Sequence, residues 1–146
     1  MDVRITKIPP EAPEVTVIEC HEITDTVREI EHFIKSRRGQ LSCTKEGRQF
    51  ELPITDVLYI ESVDNRTFLY TDTDTYEARE KLYHFEDVLR EKHFLRISKS
   101  MLLNLMKLRS VKPALNGRFS AILSNGEEVI ISRKYVSSLK ETLRNS

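Results

Sequence analysis

The sequence predicts a mostly β fold with α: an antiparallel sheet carrying one or two packed helices, preceded by a short strand-helix extension. Three observations predict it. From Leu41 onward, short apolar runs of period two alternate with polar turns, the pattern of strands that bury one face. Between residues 79 and 91 the period lengthens to that of a helix. Ahead of residue 40, the prolines Pro9, Pro10 and Pro13 separate β-branched stretches from a single amphipathic helix pattern. The extension is therefore assigned to residues 1–40 and the main domain to residues 41–146.

In the extension, Val3, Ile5 and Ile8 alternate with Arg4, Thr6 and Lys7, which reads as a short strand ended by the prolines. Val15, Val17 and Ile18 make a second β-branched run. Thr24 or Asp25 then stands where a helix cap is needed, and Val27, Ile30, Phe33 and Ile34 follow at spacings of three and four. Arg37, Arg38 and Gly39 close the pattern as cations and glycine close a helix. A lone amphipathic helix cannot bury its own stripe. This one is expected to lie against the following domain or to build a homodimer.

In the main domain, Glu46-Gly47 is a turn, residues 49–52 a strand and Pro53 an edge position. Residues 57–63, the turn Asp64-Asn65-Arg66, the return 67–71, a second polar turn and residues 75–78 make an antiparallel meander. Leu82, Phe85, Val88 and Leu89 form one face of a helix. Residues 94–108 then mix cations and hydroxyls with apolar residues, as suits a junction anchored on one side and open to a partner on the other. Asn116-Gly117 and Asn125-Gly126 are strong turn signals. A two-residue turn at the second would set Ile122 opposite Val129 and Ala121 opposite Ile130, with apolar residues on both faces and the hairpin between layers. Ser132 offers an N-cap to a final helix with the stripe Tyr135 or Val136, Leu139 and Leu143.

A chain of 146 residues supports one real core. Its zero net charge hides a polarised distribution: residues 1–36 hold eight acids and four bases, the remainder fifteen and nineteen. From Lys92 through Gly126 there is no acid, while Lys92, Arg96, Lys99, Lys107, Arg109, Lys112 and Arg118 all fall inside. At 23 acids in 146 residues, such a span of 35 would hold about five or six, so an anionic partner is the first explanation. Arg133 and Lys134 add to it. They would occupy the first turn of the last helix, where acids are normally favoured, and phosphate is the natural compensator.

Other chemistries fit poorly. Ser98, Lys99 and Ser100 lie on one turn and lack the buried lysine that a serine-lysine nucleophile requires. The four histidines are scattered, and Cys20-His21-Glu22 is too compact to surround a metal. No glycine-rich phosphate loop or paired-carboxylate cleft is present, so no catalytic residue, metal, cofactor or small-molecule substrate is assigned. Two cysteines, no signal-peptide pattern and no apolar run of about 18 residues point to the cytoplasm, with unpaired thiols and no membrane insertion.

Four pieces in register, Val57-Leu58-Tyr59-Ile60-Glu61-Ser62, Leu82 to Leu89, Phe94-Leu95-Arg96-Ile97-Ser98-Lys99-Ser100-Met101-Leu102-Leu103-Asn104-Leu105, and Asn125-Gly126 followed by Ile131-Ser132-Arg133-Lys134-Tyr135, resemble the LytTR DNA-binding domain family. The resemblance covers roughly residues 41–146. It implies an elongated, mostly antiparallel β fold whose loops enter successive major grooves of promoter DNA, usually as a dimer. Family members commonly follow a receiver domain in response regulators. The forty residues ahead of the domain are too short for one, so a stand-alone member is expected.

Carried over by position, the resemblance assigns DNA contact to Asn65, Arg66 and Thr67, to Lys99 with Ser100, and to Arg133 with Lys134, with Arg96 as a supporting cation. Lys99 and Lys134 suit either guanine or phosphate. The expected function is sequence-specific transcriptional regulation without enzymatic activity. The alternative is a protein-interaction module that docks on an acidic partner through the same cations.

Overall fold

The computed structural model describes residues 1–145. Helix α1 (Asp25–Arg37) precedes strands β1 (Gln40–Lys45), β2 (Arg48–Pro53), β3 (Tyr59–Val63), β4 (Arg66–Tyr70) and β5 (Thr75–Ala78), then α2 (Leu82–Val88). Strands β6 (Phe94–Ser98), β7 (Met101–Asn104), β8 (Leu108–Pro113), β9 (Phe119–Leu123) and β10 (Glu128–Ile131) follow, and α3 (Val136–Arg144) comes last. Seven strands form one antiparallel sheet in the order β2-β1-β5-β4-β3-β7-β6, and three form a second in the order β10-β9-β8. The expected mostly β architecture with packed helices is the observed one.

The large sheet buries both faces. Val57, Ile60, Leu69 and Leu102 join Leu41, Leu82, Phe85 and Leu89 in a core beneath α2. Leu58, Tyr59, Ile97 and Leu103 join Ala121, Leu123, Ile131, Val136 and Leu139 in a second core beneath the small sheet and α3. Neighbouring residues of a strand point to opposite faces, so Leu102 and Leu103 serve different cores. That is why β7 reads as a continuous apolar run and not as an alternation. Asn104 ends the strand: its Nδ2 donates to the Val57 carbonyl at 2.8 Å while its Oδ1 accepts from the Met106 amide at 3.0 Å. Residues 94–108 are thus a hairpin, a 3-10 turn at Leu105–Lys107 and the start of β8.

Three expectations are corrected. The strands expected within residues 3–18 do not form; residues 1–24 hold neither strand nor helix. A period-two pattern becomes a strand only where a second strand takes its amides and carbonyls, and none is offered here. The expected stripe of α1 is divided. Val27 is buried, but the residues buried beside it are His32 and Ser36, and Phe33 is 52% exposed. Most of the buried polar groups find partners: Ser36 donates to the Phe33 carbonyl at 2.7 Å, and His32 Nδ1 lies 2.6 Å from His84 Nε2 on α2, while His32 Nε2 is buried without a hydrogen bond among the described residues. Helix α1 therefore packs against β1 in cis, capped by Thr24, whose hydroxyl accepts from the Val27 amide at 3.3 Å.

The third correction is a register. Ala121 faces Val129 and Ile122 faces Glu128, one residue away from the expected pairing. The connection holds three residues, closed by Gly126 N–H to Leu123 O (2.9 Å) and Leu123 N–H to Glu127 O (2.8 Å), with Gly126 at φ +89°. A three-residue loop with glycine in the left-handed region is the next commonest hairpin after the two-residue one, and one residue of slip exchanges the faces. Val129 and Ile131 point inward and Ile130 outward, so this edge strand has one wet face.

Candidate nucleic-acid interface

Three turns distant in sequence are held at one end of the large sheet. The β3–β4 hairpin turns at Asp64 and Asn65, both in the left-handed region (φ 51° and 65°), which Asp and Asn tolerate better than most residues. Beside it, the Ser62 amide donates to the Ser100 carbonyl at 2.8 Å, locking the β6–β7 turn to the β3–β4 turn. The Ser132 amide donates to the Ile97 carbonyl at 2.8 Å, which brings the segment after β10 alongside the same β6–β7 turn.

Arg133 and Lys134 lie on a 3-10 turn, Arg133–Tyr135, ahead of α3, and Ser132 makes no side-chain cap bond. The expectation that they occupy the first turn of an α-helix is corrected accordingly. Their outward position comes from this turn and not from the α3 N-terminus. Both are exposed. The stem of Arg133 lies across Gly117, where a Cβ would come within 2.8 Å of its Cδ, and Gly117 itself has φ +74°. Any side chain there would be strained and would displace Arg133. The Lys134 ammonium sits 5.7 Å from the centre of the Tyr135 ring.

The remaining assigned residues divide by their partners. Lys99 is exposed at the tip of its turn and Ser100 is half-buried beside it. Arg96 is turned inward: it binds Glu86 at 2.8 Å, donates to the Ser98 carbonyl at 2.9 Å and donates to the Lys99 carbonyl. It is a clamp that shapes the Lys99 turn. Arg66 is exposed but engaged, with Glu77 at 2.6 and 3.0 Å and the Phe68 ring 5.2 Å below. The Arg66 guanidinium holds the Glu77 carboxyl below its ordinary pKa. Thr67 is 2% exposed, so its side chain belongs to the sheet.

Two contributors were not assigned from sequence. Lys81, just ahead of α2, reaches back to donate to the Asn65 carbonyl at 3.0 Å. The β8–β9 loop was read only as a turn at Asn116-Gly117, yet it lies against Arg133 and brings Arg118 with it. By contrast the acid-free span is dispersed. Arg109 and Lys112 sit on β8 and Lys107 on its own 3-10 turn, so the cations of that span are distributed over several elements. Among the described residues, no helix is long and apolar enough to cross a membrane.

The domain is thus a two-layered β fold that offers exposed lysines and an arginine on converging loops. Residues 47–144 match the LytTr DNA-binding domain family, and the chain belongs to that family. It is 30% identical over 91 residues to the sensory transduction protein LytT of Bacillus anthracis, a match covering 62% of this chain and 37% of that protein. It is 29% identical over 104 residues to the transcriptional regulatory protein YpdB of Escherichia coli K12, covering 70% and 43%. The chain thus spans about two fifths of the length of these relatives. A solved LytTr DNA-binding domain, from a putative methyl-accepting/DNA response regulator of Bacillus cereus, superposes with a TM-score of 0.68 at 24% identity. It covers 72% of this chain and 96% of that one, and it shows the same fold.

Proposed function

We propose that the chain is a transcriptional regulator of the cytoplasm that binds double-stranded promoter DNA in a sequence-specific way, as a homodimer, with residues 41–146 as the DNA-binding unit and residues 1–40 as its extension. The observation that supports it best is the convergence of three turns, tied by the Ser62–Ser100 and Ser132–Ile97 backbone bonds. Among the described residues, Lys99, Arg133 and Lys134 on these turns take part in no ion pair, whereas Arg66 and Arg96 do. Cations without a carboxylate partner are available to phosphates and to the acceptor edges of guanine.

In this reading Asn65, Lys99, Ser100, Arg133 and Lys134 touch the duplex, and the turns enter successive major grooves. Arg66 exchanges Glu77 for a phosphate. Arg96 and Thr67 hold the turns in shape, and no catalysis is asked of any of them. The test is a titration of promoter DNA across salt concentrations. Affinity is expected to fall steeply and log-linearly as counterions are released. A binding constant that stays flat between low and physiological salt overturns the proposal.

A further inference from the structure

The exposed cations of the loop end are held in different ways. Arg66 is held by its ion pair with Glu77, which has to open before the guanidinium can take another anion. Lys134 lies over the Tyr135 ring. Arg133 is held by its stem: its Cγ and Cδ lie 3.0 and 2.8 Å from where a Cβ of Gly117 would stand. Its guanidinium meanwhile takes part in no ion pair among the described residues.

Gly117 has two reasons to be glycine. One is its left-handed backbone, φ +74°, which it shares with Gly47 at φ +77°. That reason is not absolute in this chain, since Glu46, Asp64, Asn65, His93 and Asn116 take positive φ with side chains in place. The second reason is space, and among the glycines it is found only here. A Cβ at Gly39 or Gly47 would meet nothing within 4 Å, and at Gly126 the nearest atom, Arg109 Nη2, is 3.8 Å away. At Gly117 the space is filled by the stem of an interface cation.

The surface beneath that stem is fixed. The Ala114 amide donates to the Arg118 carbonyl at 2.8 Å, and the Leu115 carbonyl accepts from the Arg118 amide at 3.3 Å and from its Nε at 3.1 Å, closing the β8–β9 loop on itself. The Arg133 backbone is fixed from the other side, where the Ser132 amide donates to Ile97 and the Tyr135 amide to Ser132, both at 2.8 Å. A long side chain oriented in advance loses less rotamer freedom on binding. Orientation matters most for reading a base, because a guanidinium selects guanine by reaching its N7 and O6 together, whereas a phosphate accepts from many directions.

We propose that Gly117 is a positioning residue: the β8–β9 loop is a cradle that aims Arg133 at one base pair, and sequence preference at that pair depends on there being no side chain on Gly117. The proposal rests on the DNA-binding reading above and adds to it a residue that need not touch DNA.

The experiment uses duplexes that the wild-type chain recovers from a library of random sequence. Arg133→Ala is expected to weaken binding about tenfold and to erase a guanine preference at one position of the recovered motif. Gly117→Asn introduces a residue that tolerates left-handed backbone. It should erase the same preference, leave the other positions unchanged, and add nothing further to Arg133→Ala. Gly47→Asn strains the backbone in open space, so it should lower the melting temperature and leave motif and affinity as they are. NMR relaxation of the Arg133 Nε in the wild-type chain without DNA should report an ordered stem, and this measurement requires no variant to fold. A motif unchanged by Gly117→Asn, an affinity loss as large with Arg133→Ala as without it, or a freely rotating Arg133 overturns the cradle and leaves DNA binding standing. A wild-type chain that recovers no common motif, or an Arg133→Ala chain that binds like wild type, overturns the reading at Arg133 and the cradle with it.

Discussion

The loop end of the large sheet and the junction of α1 with α2 treat polar side chains in opposite ways. At the loop end, turn geometry pushes Lys99, Arg133 and Lys134 out into solvent. At the junction, polar groups are drawn inside and lose charge. His32 is 2% exposed, edge-on to Phe85 and 2.6 Å from His84, and its Nε2 is 3.9 Å from a Glu80 oxygen. Burial first, and the neighbouring His84 second, bring its pKa down to about 4. Burial raises the Glu80 carboxyl. One region keeps ions for a partner and the other removes them to let two helices pack, so changes in the first should read out in binding and changes in the second in stability.

The strongest way to break that division is Lys99→Ala combined with Arg133→Ala. Two such contacts are each worth about 1–1.5 kcal/mol, so affinity for promoter DNA should fall about a hundredfold. The melting temperature should not move, since neither residue is buried. A gel shift beside a thermal melt checks both, and a lost fold or an unchanged shift refutes the assignment.

Acid should act on the junction instead. Unfolded His32 takes its proton near 6.5 and folded His32 only near 4. Between these values the unfolded state holds more protons, so stability is present above 6.5 and is lost as pH falls toward 4. The first unit below 6.5 should remove about 1 kcal/mol, seen in thermal melts at stepped pH. His32→Leu should flatten that slope even if it lowers stability throughout. An equal slope in the variant would assign the effect to other groups.

Smaller changes sharpen the contrast. Thr24→Ala removes the α1 cap, whose bond is long at 3.3 Å, so a loss of about 0.5 kcal/mol is expected in chemical denaturation, with DNA affinity unaltered. Glu77→Gln frees Arg66 at the loop end and should raise DNA affinity about twofold, measured by fluorescence anisotropy at fixed salt. A decrease there would mean that the ion pair orients Arg66 for contact.

How much of this was legible follows the range of the interaction responsible. The meander through β3, β4 and β5, the face of α2 and the turns at Glu46-Gly47 and Asp64-Asn65 depend on neighbours a few positions away, and the alternation displays them. The expected α1 stripe was incomplete because His32 and Ser36 were judged by their polarity, while burial depends on partners such as His84, 52 positions further on. Arg96 looked like one more loop cation because Glu86, which turns it inward, lies on a different element.

Local residue order by itself determined which stretches want to be strands, that left-handed turns fall at Asp64-Asn65 and Gly126, and that cations gather on turns. Those features are set by φ/ψ preference and by the period of the apolar residues, which act within a few residues. Only the tertiary structure decided that the three turns meet, since single backbone bonds from Ser62 and Ser132 join segments whose separation in sequence carries no signal. It likewise decided the register of β9 on β10, and that β7 faces two cores. In each case both partners had to be present at once, because a hydrogen bond or a buried face is a property of a pair and not of a residue.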